Sequence, residues 1–74
     1  MGSVVLRISE EAMVPELRDY FERTGIYEVE ELGGTMIAVR GLYAFDEHTQ
    51  RSEVASRLRI WQVANPHAGV DILP

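Results

Sequence analysis

The sequence predicts an α+β domain with the element order strand, helix, strand, strand, helix, strand. Three observations predict it. The stretch Tyr27 to Arg40, YEVEELGGTMIAVR, alternates apolar and polar residues on both sides of Gly33-Gly34, the pattern of a half-buried hairpin. Two longer segments, from about residue 12 to Thr24 and from Asp46 to Ala64, repeat apolar residues at helical spacing. Short runs at residues 4–8, VVLRI, and 70–73, VDIL, supply a strand at each end.

The first strand places Val4, Leu6 and Ile8 on one face and Val5 and Arg7 on the other. Pro15 is tolerated only in the first turn of a helix, so the first helix starts near residues 12 to 14. Met13, Leu17, Tyr20, Phe21 and Thr24 then line one side. Gly25 suits a left-handed helix end, with Ile26 as the apolar residue that follows it.

The hairpin register follows from the cost of turning an apolar set to water. A two-residue Gly-Gly loop would set Val29 against Ala38 and mix the faces. An odd-length loop with a left-handed glycine keeps Val29 opposite Ile37 or Val39 and leaves Glu28, Glu30 and Arg40 together, so a bulged hairpin is expected. A phosphate-cradling loop needs a glycine turn between strand and helix. Here a strand follows.

Residues 41–45, GLYAF, form an apolar connector without clear periodicity. Asp46 or Thr49 can cap the second helix, and Asn65-Pro66 ends it. Its inward stripe is Val54, Leu58 and Trp61, with Ala55 beside it. Ile60 points away from that stripe. Pro66 to Gly69 is a turn, and Val70 and Ile72 face inward from the last strand.

Two weak echoes, Leu6-Arg7 with Val39-Arg40 and residues 29–32 with 70–73, suggest two βαβ units. At the level of element order the whole chain resembles the ferredoxin-like superfold, βαββαβ. That resemblance implies an antiparallel sheet in the order 4-1-3-2 with two helices on one face. It implies no function, because the superfold hosts many.

Size and composition set further bounds. Seventy-four residues make one domain. Met1-Gly2-Ser3 reads as a candidate cloning remnant. A chain this short buries only about 60% of its unfolded surface, so self-association would help it. No cysteine is present, so disulfides and thiolate metal sites are excluded, and a cytoplasmic location fits. No apolar run approaches the roughly 20 residues of a membrane helix, and no membrane partner is expected. Twelve acidic residues against seven basic give a net charge of −5. That charge argues against direct nucleic-acid binding, which needs a basic footprint. The central strands also lack the aromatics that stack RNA bases in related folds.

Catalytic patterns are missing. Asp46-Glu47-His48 is compact, but consecutive side chains do not converge on one metal. His67 lies in a turn, and no serine sits in a nucleophile-elbow pattern. Carboxylates occur as sequence neighbours that point apart, not as pairs in contrasting environments. The chain is therefore expected to be no enzyme, with no cofactor and no metal.

The helix-free face of the sheet is expected to carry Asp71, Arg7, Arg40, Glu28 and Glu30 around Val5, Met36, Ala38 and Leu73. Such an arrangement is either a register-fixing charge ladder or an interface with an apolar centre and a polar rim. The leading expectation is a small acidic regulatory module that binds protein, as a homodimer or with another chain. The binding residues expected are Val5, Arg7, Met36, Ala38 and Arg40 on the open sheet face, with Ile60 on the second helix. One variety is an inhibitor that covers a basic surface of its partner, using Glu10, Glu11, Glu16, Glu28, Glu30 and Glu31. The alternative is a ligand-sensing dimer that resembles ACT regulatory domains in element order, with Ser9 to Val14 as its ligand loop. An enzyme built on a dimeric α/β barrel would need a cavity between sheet and helices, and the chain is short for one.

Overall fold

The computed structural model describes residues 2–43 and 46–74. The elements are β1 (Val4–Ile8), a 3-10 turn at Glu11–Met13, α1 (Val14–Glu22), β2 (Tyr27–Gly33), β3 (Met36–Gly41), α2 (Glu47–Ala64) and β4 (Val70–Ile72). The four strands form one antiparallel sheet in the order β2-β3-β1-β4. This is the expected strand order, with β2 and β4 at the edges. Ala44 and Phe45 of the expected apolar connector lie outside the described residues.

Both helices cover one face of the sheet. Alternation in β1 sends Val4, Leu6 and Ile8 into the core, where they meet Ile37 and Val39 from β3. Val14, Leu17 and Phe21 close the core from α1, and Val54, Leu58 and Trp61 from α2. Trp61 is buried, as expected of a core residue. Phe21 packs edge-on against Tyr20 and Tyr27, each with ring centroids 5.3 Å apart, the geometry that aromatic quadrupoles favour.

Local chemistry sets the helix ends. The side chain of Asp46 accepts the Thr49 amide at 2.7 Å and caps α2, satisfying an otherwise free helical donor. Pro15 sits in the first turn of α1. Past α1, Gly25 takes φ 75°, and its amide donates to the Glu22 carbonyl. The Thr24 hydroxyl donates to the Phe21 carbonyl and accepts from the Ile26 amide.

The hairpin corrects one expectation. Val29 lies opposite Val39 and Glu28 opposite Arg40, the register inferred from the alternation. The odd residue, however, is not in the loop. Gly33 pairs with Met36 across a two-residue Gly34-Thr35 connection, and the register shifts between Glu31 and Gly33. A bulge at Leu32 thus restores the parity that an even loop would have broken. Gly33 and Gly34 carry φ values of 100° and 57°, a region closed to most side chains.

Gln50 departs further from the sequence pattern. It is 1% exposed, the only buried polar residue among those described. Its Oε1 accepts the Gly41 amide at 2.8 Å, and its Nε2 donates to the Gly2 carbonyl at 2.7 Å.

Candidate interaction surfaces

The open sheet face holds the expected residues in three rows. Asp71, Arg7 and Met36 align in one row, and Val5, Ala38 and Glu30 in the next. Arg40 and Glu28 form the third. Leu73 joins the middle row, its amide donating to the Val5 carbonyl. Arg7 and Arg40 therefore stand two rows apart, at diagonal corners, not side by side.

Each arginine meets an acid of its own chain. Arg7 lies 3.7 Å from Asp71, and Arg40 bonds Glu28. Each ion pair is exposed to solvent, so each contributes little, about 0–1 kcal/mol. The apolar middle of the face is thin. Val5, Met36 and Leu73 are half-buried, and Ala38 is already buried between its strand neighbours. The acids named for an inhibitor are not gathered on one side. Glu28 and Glu30 lie on the open face, whereas Glu31 turns toward α1 and pairs with Arg18. Ser9, at the head of the expected ligand loop, is tied to Gly69 through both its backbone amide and its hydroxyl.

A second surface runs along the outer side of α2. The helix is apolar on two sides in its C-terminal half. Leu58 and Trp61 face the core, while Ile60 is 66% exposed and Val63 82%. Ile60 is the residue expected there. Val63 was not foreseen, although its position three residues later puts it on the same helical side. A shallow groove of about 510 Å³ lies beside them, lined by Ile26, Ser52, Glu53, Ser56, Arg57 and Ile60. A smaller hollow of about 170 Å³ adjoins it through Ile26 and Glu53 and reaches Tyr43. Tyr43 and Leu42 are exposed beyond it. Ile26 thus links the β3 end of the sheet to α2.

The floor of this region carries polar tension. The Tyr27 hydroxyl is buried with no partner in hydrogen-bond geometry, the nearby Arg57 guanidinium being the donor that faces it. The Arg57 guanidinium sits 5.6 Å above the Tyr27 ring, within cation–π range. Burial pushes the Tyr27 phenol above its ordinary range, and the Arg57 charge opposes the shift. Tyr20 holds α1 to α2 by donating its hydroxyl to the Arg57 carbonyl at 2.8 Å.

His48 and His67 are both exposed. No group of three His, Cys, Asp or Glu residues is arranged to hold a metal among the described residues. No helix among them is long and apolar enough to cross a membrane. No protein-family model matches the chain, and no curated protein or solved structure matches it either.

Proposed function

We propose that this chain is a cytoplasmic, non-enzymatic protein-interaction module of the ferredoxin-like type, and that it regulates a partner by binding it through the outer side of α2. The observation that supports this reading is the pair Ile60 and Val63. They stand exposed on a helix whose other side already fills the core. Covering two such side chains contributes roughly 1.5–3 kcal/mol each before the costs of association. The neighbouring groove and Tyr43 extend the same apolar strip. Apolar anchors with polar groups at their margin are the usual anatomy of a contact site.

The open sheet face supports a second reading, a homodimer packed face to face. The row of Leu73, Val5 and Ala38 lies between two ion pairs, an apolar line with charged ends. Its contribution is smaller, because Ala38 has little surface left to bury.

One experiment separates the two. Light scattering from low micromolar to near-millimolar concentration gives the mass of the wild type, of Ile60→Asp/Val63→Asp and of Arg7→Glu/Arg40→Glu. The same three proteins are then used as bait in lysate of the source cell. A monomer whose captured partner is lost only with the α2 variant is the expected result. Capture that survives the α2 variant and fails with the arginine reversal would move the site to the sheet. Capture unaffected by either would remove both readings.

A further inference from the structure

The charges of this chain are segregated. It is acidic as a whole, at −5, yet α2 carries three arginines against two glutamates. From Val54 to Ala64 the only charged residues are Arg57 and Arg59. Three of the other five arginines behave differently. Arg7, Arg18 and Arg40 each contact a carboxylate of their own chain. Among the described residues, neither Arg57 nor Arg59 is within ion-pair distance of an acid, and Arg23 and Arg51 are also outside that distance. Arg59 is exposed between Ser56 and Val63, at helical spacings of three and four. Arg57 lines the groove beside Ile60. Two of the three unpaired arginines of α2 thus adjoin its exposed apolar pair, and Glu53, one turn before Arg57, is the acid that lines the same groove.

We infer that the occupant of this surface is an acidic amphipathic segment of another protein, whose apolar side covers Ile60 and Val63 and whose carboxylates meet Arg57 and Arg59. The inference rests on the interaction-module reading and adds the chemistry of the partner. Charge complementarity carries it, because unpaired cations at the margin of an apolar contact orient an acidic partner and repel a basic one. A second copy of this chain fits poorly. Antiparallel packing of two α2 helices centred on the patch sets Ile60 over Val63 but brings Ala64 and Pro66, not carboxylates, opposite Arg59 and Arg57. Parallel packing sets arginine against arginine. Nucleic acid fits poorly too, since two arginines on a chain of −5 make a small footprint for a polyanion.

The test is an unbiased selection. A random peptide display library is panned against the full chain and counter-selected on Ile60→Asp/Val63→Asp. The expected winners are net acidic, with Leu, Ile or Phe three and four residues apart. One synthesised winner is then titrated against wild type and against Arg57→Ala/Arg59→Ala at two salt concentrations. Binding should weaken about tenfold in the arginine variant and lose most of its salt dependence. Winners that are neutral or basic, or that ignore the arginines, would overturn the acidic partner and leave the interaction module standing. No enrichment over the Ile60→Asp/Val63→Asp variant would remove the module reading itself. The replaced apolar residues are exposed, so the fold should persist, and urea unfolding checks it. Arg59→Glu gives an independent arm that touches no buried atom: it should reject the same winner more strongly than the alanine variant.

Discussion

Gln50 joins the start of α2 to the beginning of the chain: its amide nitrogen donates to the Gly2 carbonyl at 2.7 Å, across 48 residues. Its oxygen meanwhile accepts the Gly41 amide. One side chain thus pins the N-terminal segment, the end of β3 and α2 together. Gln50→Leu keeps much of the volume but strands two backbone groups. The expected loss is about 2–4 kcal/mol, read as a lower urea midpoint.

Tyr27 should behave in the opposite way. Its ring is core, but its hydroxyl is buried with no partner in hydrogen-bond geometry. Removing that oxygen relieves an unmet polar group and keeps the ring contacts with Phe21 and Arg57. Tyr27→Phe should therefore be within about 1 kcal/mol of wild type, or more stable. A loss above about 2 kcal/mol in chemical denaturation would mean that the hydroxyl has a partner in solution.

The Arg7 and Asp71 pair is a test of the sheet face. Both side chains are more than half exposed at a separation of 3.7 Å. A double-mutant cycle through Arg7→Ala and Asp71→Ala should give a coupling below about 1 kcal/mol that shrinks in high salt. A larger, salt-insensitive coupling would place the pair in a desolvated contact, as a face-to-face dimer requires.

Asp46 predicts a pH dependence. Its carboxylate accepts hydrogen bonds from the Thr49 amide and hydroxyl, which hold it below its ordinary value of 3.8. The folded value is the lower one, so the cap stabilises fully above the unfolded value. That stabilisation is lost as pH falls below 3.8 through the folded value. Between pH 5 and pH 3, thermal unfolding of wild type and Asp46→Ala should therefore converge as the pH falls. A difference that stays constant would mean that the cap does not depend on charge.

Much of the fold is legible in the residues. Apolar alternation in 27–40 fixes the facing of β2 and β3, because a one-residue slip would turn Val29 and Val39 to water. Pro15, Gly25 and Asp46 mark helix ends through local backbone chemistry, and local chemistry is what a sequence displays best. Gln50 was not legible. A polar residue at a helix position reads as solvated, and its burial depends on Gly2 crossing over α2, a non-local event. The Leu32 bulge was half legible: parity required an odd residue, but nothing local decided between loop and strand. On the candidate surface, Ile60 stood out by its place off the apolar stripe, whereas Val63, one turn further on, was marked by no local signal. The lack of an ion pair at Arg57 and Arg59 needed the ion pairs of Arg7, Arg18 and Arg40 for its contrast.

The two outer strands have a consequence for how copies of this domain meet. β4 is three residues long and offers few free amides. β2 is longer, but it carries Glu28, Glu30 and Glu31 and is kinked at Leu32. A rim of this kind repels its own likeness and gives no flat track for another chain's backbone. Such edges disfavour pairing of one sheet with the next. The proposed contact through α2 would accordingly rest on side chains, where a single substitution tunes affinity.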